Sequence, residues 1–102
     1  MSTGRTALDL SLHAIGDATR RRILHALKHP TKSAASLAAG RHGLCAGEIE
    51  ERIGLSQPTI SHHMSLLTKA GLVEAVKQGQ WRWYRRNEKA LRRLVKSLRS
   101  QL

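Results

Sequence analysis

Apolar residues recur three and four positions apart along most of the chain, which is the spacing of one buried face of an α-helix. This spacing predicts helices over residues 6–15, 18–28, 46–53, 56–70 and 88–101. Two short stretches rich in Val, Trp and Tyr precede the last helix and predict strands over residues 72–77 and 81–86. The expected fold is mainly α-helical with a small β-hairpin, in the order α-α-α-α-β-β-α, and residues 1–102 are expected to form a single domain.

The stretch of residues 46–70 has the residue order of a helix-turn-helix. Gly54 follows the first helix, where a left-handed residue commonly ends a helix. We expect Leu55 to plug the turn and the Ser56 hydroxyl to cap the second helix. Pro58 falls in the first turn of that helix, where no hydrogen bond is lost.

The second helix of this motif, at about residues 56–70, has two different faces. Ile60, Met64 and Leu67 repeat at i, i+4 and i+7 and predict a buried face. The other face is polar and, apart from Lys69, uncharged, so it can enter a DNA major groove and hydrogen-bond to base edges. Gln57 is the best candidate for an adenine edge. The residues expected to contact bases and nearby phosphates are Ser56, Gln57, Thr59, Ser61 and His62.

The hairpin that follows this recognition helix is predicted to be a wing, at residues 77–86. Its turn is expected at residues 78–80, with Trp81 and Trp83 on one face and Arg82 and Tyr84 on the other. Packing is the favoured role of the two tryptophans, and stacking on bases is the alternative. A basic ribbon beside a major-groove helix can lie along phosphates or reach the minor groove. The residues expected to contact phosphates are Lys69, Lys77, Arg82 and Arg85.

The first and last helices have regular apolar stripes that need a partner surface. A domain of this size already has a core in its middle helices and hairpin. We therefore expect the terminal helices to pack together and also against a second copy of the chain. The predicted dimer interface consists of Leu8, Leu12, Ile15, Leu91, Leu94, Val95 and Leu98.

The charge of the chain restricts its partners. Lys and Arg number 18 against 7 Asp and Glu, for a formal net charge of +11, and this excess indicates a polyanionic partner. Double-stranded DNA is the leading candidate. A membrane is disfavoured because no long apolar segment is present, and no secretion signal is recognisable. Cys45 is the single cysteine, which excludes an intramolecular disulfide and fits a cytoplasmic protein.

Two segments, one basic and one polar, each have two possible interpretations. Arg20, Arg21 and Arg22 follow the capping residue Asp17, and a solvated face is their preferred interpretation, with phosphate contact as the alternative. Residues 31–43 are rich in Ala, Ser and Gly and predict a loop insertion, or a short helix over residues 34–39.

Four short motifs spread over nearly the whole chain carry a family resemblance. They are Asp17-Ala18-Thr19-Arg20 with Ile23-Leu24, then Gly54-Leu55-Ser56-Gln57-Pro58-Thr59-Ile60-Ser61-His62-His63-Met64, then Leu67 with Ala70-Gly71-Leu72-Val73, and Gly79-Gln80-Trp81 with Tyr84. Together they resemble the ArsR/SmtB family of bacterial winged helix-turn-helix repressors. The resemblance implies a homodimer joined through its terminal helices, a pseudo-palindromic operator, and repression relieved by an inducer.

The chain departs from this family at the sensor positions. Members that sense arsenite or thiophilic metals have a cysteine pair before the recognition helix. Here Cys45 matches the first cysteine, and Gly47 stands in the place of the second. A lone thiolate cannot form a site of two or three sulfurs. Other members have metal ligands along the last helix, which here lacks His and Cys, so we expect no family metal and no cofactor. That helix instead contains Arg92, Arg93, Lys96 and Arg99.

The chain also departs from the family at two further positions. The family's usual proline after the capping aspartate is Ala18 here, and its usual basic residue in the wing turn is Gln80.

Other functions remain as alternatives. His42 and Cys45 have ligand spacing and could form a metal site with His29 or His13. A thiol at a helix N-terminus can have a lowered pKa and act as a redox sensor. A non-specific nucleic-acid binder would use charge alone, and a protein-interaction winged helix would have no DNA role. Catalysis is not expected, because residues 61–63 diverge around a helix and no carboxylate lies nearby in the sequence.

Overall fold

The computed structural model describes residues 6–28 and 43–102. The helices are α1 (Ala7–Ile15), α2 (Ala18–Lys28), α3 (Ala46–Ile53), α4 (Gln57–Lys69) and α5 (Glu88–Gln101). The strands are β1 (Leu44–Cys45), β2 (Val73–Gln78) and β3 (Trp81–Arg86). The predictions made for residues 29–42, which include the loop insertion and its short helix, His29 and His42, lie outside the described residues.

Local capping signals begin and end the helices. The Asp17 carboxylate accepts the backbone N–H of the third residue after it, at 3.1 Å, and so caps α2. The side chain of Asn87 does the same for α5, also at 3.1 Å. Gly54 (φ 79°) and Gly71 (φ 77°) are left-handed and stand just after α3 and α4. Each side-chain cap is worth about 1 kcal/mol. The predicted caps at Asp17 and Gly54 are confirmed.

The turn between α3 and α4 corrects two expectations. Leu55 is 37% exposed and does not plug the turn, because Ile53 and Ile60 already close the core on either side of it. Ser56 stands at the N-cap position of α4 without a side-chain bond to the backbone. Its hydroxyl lies 3.1 Å from the Thr59 hydroxyl instead. The local sequence therefore indicated the turn correctly but not the contacts within it.

The core lies where the inward faces of α2, α3 and α4 meet the small sheet. The predicted apolar faces of these helices are confirmed, because their inward residues are almost fully buried. Each large buried apolar side chain contributes about 1.5–3 kcal/mol. The largest fully buried residues are Ile23, Leu44, Ile49, Ile60, Met64, Leu67, Leu72 and Val73.

The sheet has three antiparallel strands in the order β1-β3-β2. The hairpin of β2 and β3 was predicted, but β1 was not. The hairpin turn contains two residues, with Gly79 at φ 62°, rather than the three predicted at residues 78–80. Leu44 pairs with Tyr84 in this added strand. A Cβ atom on Gly43 would collide with the carbonyl oxygen of Tyr84, so the close approach of β1 requires glycine. A two-residue strand is too short to show a periodicity of its own.

The terminal helices pack on each other but leave part of their apolar surface open. Leu94 of α5 is only 8% exposed and belongs to the core of this chain, so it offers little surface to a second copy. Leu12 and Val95 remain 40% and 61% exposed. The other predicted interface residues are partly buried, namely Leu8, Ile15, Leu91 and Leu98.

No helix in the described ranges is long and apolar enough to span a membrane.

Candidate nucleic-acid interface

The two faces of α4 have the orientation that the sequence pattern predicts. Its apolar residues are buried, with Met64 at 2% and Leu67 at 0% exposure. Apart from His63, the polar side chains between them face outward, because their positions fall on the other side of the helix. The exposed residues on and just before α4 include Ser56, Gln57, Thr59, Ser61, His62, Ser65 and Lys69.

The wing adds basic side chains next to this polar face. Lys77 lies directly across from Arg82 in the ladder of β2 and β3, and Ala75 lies across from Tyr84. Cross-strand partners share a face of the sheet, as do residues two apart on a strand. Lys77 and Arg82 are both exposed on that shared face. A groove runs between this face and α4, and its polar lining consists of Ser61, Ser65, Thr68, Lys69 and Arg82.

The electrostatics of this surface favour an anion. Residues 57–69 contain no Asp or Glu, and within the described part of the chain no acidic side chain lines the groove beside Arg82. Uncharged hydrogen-bonding groups on the helix are thus flanked by cations at its C-terminal end and on the wing. This arrangement suits a duplex, in which base edges lie between two phosphate strands.

Arg85 does not join this surface. It lies on the opposite face of the sheet, where its Nε is 2.9 Å from a carboxylate oxygen of Glu74. The alternation along β3 already separated Arg85 from Arg82, so this difference was readable in the sequence. Trp83 is half-buried on the same face as Arg85, while the side chain of Trp81 lies outside the described part of the structure.

A buried arginine next to the recognition helix was missed by the sequence reasoning. Arg20 is 8% exposed, and its Nε donates to the carbonyl oxygen of Ala14 at 2.6 Å. Its Nη2 donates to the carbonyl oxygen of His13 at 3.0 Å. The solvated-face interpretation is therefore wrong for Arg20, although Arg22 is exposed. The signal was present, because Arg20 precedes Ile23 and Leu24 by three and four positions and so lies on the buried stripe of α2.

His63 of α4 completes this cluster. Its Nδ1 lies 3.1 Å from Nη1 of Arg20, and because a guanidinium only donates, Nδ1 accepts. Burial lowers the pKa of His63, with the Arg20 charge adding to this effect and the Asp17 charge opposing it. The Asp17 carboxylate is 4.0 Å from Nδ1. Although no carboxylate lies near these histidines in the sequence, the fold brings Asp17 close to the ring of His63.

The environment of Cys45 disfavours a reactive thiolate. Burial raises the pKa of its thiol above the ordinary value, which argues against the redox-sensor alternative. The Glu48 carboxylate accepts the backbone N–H of Cys45 at 3.1 Å and places negative charge beside the sulfur. Across the described residues no three His, Cys, Asp or Glu side chains group as metal ligands.

Comparison with known proteins places the chain in a family. The helix-turn-helix domain family matches residues 15–76. The transcriptional repressor SdpR of Bacillus subtilis is 35% identical over 78 residues, which cover 76% of this chain and 73% of that protein. An uncharacterized HTH-type transcriptional regulator of Methanocaldococcus jannaschii is 39% identical over 71 residues, covering 70% and 67%.

A solved structure supports the same assignment. An ArsR-like transcriptional regulator from Rhodococcus is 31% identical, with a TM-score of 0.66, covering 92% of this chain and 77% of that one. The chain therefore belongs to the helix-turn-helix domain family and, within it, to the ArsR/SmtB family of winged-helix transcriptional regulators. The resemblance based on the four motifs is confirmed. The relatives are regulators of transcription, which confirms the expectation that the chain is not an enzyme.

Proposed function

We propose that this protein is a sequence-specific, dimeric transcriptional repressor that reads a pseudo-palindromic operator in double-stranded DNA. The observation that carries the proposal is the exposed, uncharged polar face of α4 with Lys69, Lys77 and Arg82 beside it. The relative SdpR is named a transcriptional repressor, which supports repression over activation. Because its partner would be chromosomal DNA, the protein would act in the cytoplasm.

The proposal divides the contacts into two groups. Gln57, at the first turn of α4, is exposed and would read an adenine edge, because an amide pairs with the adenine N6 and N7 positions. Lys69, Lys77 and Arg82 would hold phosphates, and Arg85 is left out because it pairs with Glu74 on the other face. The other proposed base or nearby phosphate contacts are Ser56, Thr59, Ser61 and His62.

The dimer part of the proposal is supported by the apolar surface of α1 and α5. Leu12 and Val95 are large apolar residues that the single chain leaves exposed, at 40% and 61%. A second copy would cover them and pair the two recognition helices about a two-fold axis. The helices should then lie roughly 34–36 Å apart, which is one turn of DNA.

Operator binding tests the proposal. Genome-wide mapping of bound DNA identifies the operator, and fluorescence anisotropy then compares operator with random duplex at fixed salt. Gln57→Ala should weaken operator binding about ten-fold while leaving random-duplex binding nearly unchanged, since a base contact is worth about 1–3 kcal/mol. Ser100→Ala, an exposed polar change on α5, serves as the control and should leave both affinities unchanged. Equal losses on both duplexes with Gln57→Ala would refute base reading.

A second candidate is a non-specific nucleic-acid binder. It is favoured by exposed cations far from the α4 surface, on a chain with a formal net charge of +11. Random genomic DNA that competes as well as the mapped operator would establish this function in place of the first. The exposed cations of α5 are Lys89, Arg92, Arg93, Lys96 and Arg99.

A further inference from the structure

Arg20 fastens the recognition helix to the corner between α1 and α2. Its guanidinium holds two backbone carbonyls of α1, those of His13 and Ala14, at 3.0 and 2.6 Å. The same guanidinium donates to His63 of α4 at 3.1 Å. One buried side chain thus joins the helix proposed for dimer contact to the helix proposed for reading DNA. Such a buried cation is held only while its partners accept hydrogen bonds.

His63 is the one partner in this cluster that can stop accepting. Neutral imidazole offers a lone pair at Nδ1, whereas the imidazolium donates at both nitrogens and is itself a cation. A proton on Nδ1 would therefore replace the hydrogen bond to Arg20 with repulsion between two cations. Asp17, whose Oδ2 is 4.0 Å from Nδ1, would then attract the ring away from Arg20. The cluster would therefore be arranged differently in the two protonation states of His63.

The charges that act on His63 come from α2, from the turn before it and from α4. Arg20 approaches from α2, Asp17 from the turn before α2, and His62 from α4 itself, with 6.0 Å between the two ring centroids. The partial negative charge of the α1 C-terminus reaches the site through the His13 and Ala14 carbonyls on Arg20. Burial and Arg20 favour the neutral ring, and Asp17 partly opposes them, so the pKa of His63 lies below its ordinary value of 6.5.

We propose, on the basis of the proposed function, that Arg20 and His63 form a proton-sensitive joint that keeps the recognition helix in its reading position, so that protonation of His63 lowers operator specificity. Base-edge contacts need the helix placed to within about half an ångström. Binding to phosphates does not require such exact placement of the helix, and the positive charge of protonated His63 would strengthen it. Acid should therefore reduce the ratio of operator to random-duplex affinity rather than all binding.

The sign of the effect follows from the lowered pKa. The arrangement with neutral His63 is fully present above a pH of about 6.5 and is lost as the pH falls through the lower pKa of the folded state. The specificity ratio of the wild type should thus drop about ten-fold between about pH 8 and a pH below the titration midpoint of His63, the loss expected for one charge-assisted hydrogen bond.

The experiment measures operator and random-duplex affinities at both pH values and fixed salt. His63→Asn places an amide oxygen near the position of Nδ1 and does not titrate, so its ratio should stay constant with pH. His25→Asn, at an exposed histidine of α2 outside the residues proposed to contact DNA, is the matched control and should show the same drop in ratio as the wild type. A wild-type ratio that does not change with pH, or an equal drop in His63→Asn, would overturn the joint. A wild type with no operator preference at about pH 8 would instead refute the proposed function.

A measurement on the wild type covers the case in which His63→Asn does not fold. Nitrogen-15 NMR of the histidine rings should show His63 with an unprotonated Nδ1 at neutral pH. Its titration midpoint should coincide with the midpoint of the specificity loss. A ring protonated at Nδ1 at neutral pH, or midpoints about one pH unit apart, would contradict the proposal.

Discussion

Val95→Lys is expected to separate the proposed dimer without unfolding the chain. Val95 is 61% exposed on α5, so a lysine there can reach water in the monomer. The dimer would lose the burial of most of one valine in each copy. At about 1.5 kcal/mol for a fully buried valine, this is roughly 1 kcal/mol per copy and about 2 kcal/mol per dimer. The dimer dissociation constant should therefore rise about thirty-fold from lost burial alone.

The charge of α5 determines the choice of lysine over glutamate. Arg92 and Arg99 lie three positions before and four positions after Val95, so they would form ion pairs with a glutamate and mask its effect. A lysine instead adds charge to an already basic helix, which a symmetric interface would bring near the same basic helix of the second copy. Leu94→Glu is unsuitable, because Leu94 is only 8% exposed in the core of its own chain and a charge there would destabilise the fold.

Sedimentation over a concentration series measures the dissociation constant, and circular dichroism checks that each variant is folded. Ser100→Lys, on another face of α5 and exposed, should sediment as the wild type does. Because the protein is proposed to bind its operator as a dimer, the loss of dimerisation in Val95→Lys should also lower its operator affinity. A folded Val95→Lys variant with an unchanged dissociation constant would refute the assignment of this face to the dimer.

Two further pairs of variants test the sheet and the wing. Gly43→Ala should lower the free energy of unfolding by about 1–3 kcal/mol, because its Cβ collides with the carbonyl of Tyr84. Gly47→Ala, which has open space around it in α3, should instead raise the free energy of unfolding by roughly 0.5–1 kcal/mol. Urea unfolding measures both changes. An undiminished stability of Gly43→Ala would contradict the close packing of β1. Arg82→Ala should weaken operator and random duplex alike and lower the salt slope by about one unit. Arg85→Ala should leave that slope unchanged, and equal slopes in both variants would argue against the proposed wing contact.

Local structure was largely predictable from the sequence. The bounds of α3 and α5 agree with the prediction, and β2 differs from it by one residue because the turn at Gly79 uses two residues rather than three. These features depend on helical periodicity, capping side chains and left-handed glycines, which act over about four residues. The exposed face of α4 was predictable for the same reason, since it is the complement of its apolar stripe.

Contacts between distant residues were not predictable in this way. The position of Arg20 on the apolar stripe of α2 indicated burial, but only the folded chain brings it to His63, and Asp17 near the same ring. The strand β1 depends on the approach of Gly43 to β3. Leu94 and Val95 are adjacent apolar residues on one helix, yet the first lies in the core and the second faces outward.

The sequence by itself thus determined the helices, the hairpin and the polar face proposed to read DNA. Periodicity and capping are local properties, and each residue's own neighbours in the chain are enough to express them. The tertiary structure alone decided which apolar residues the chain buries and which it leaves for a second copy. It also decided which polar groups support the recognition helix, because burial and hydrogen bonding depend on where distant segments cross.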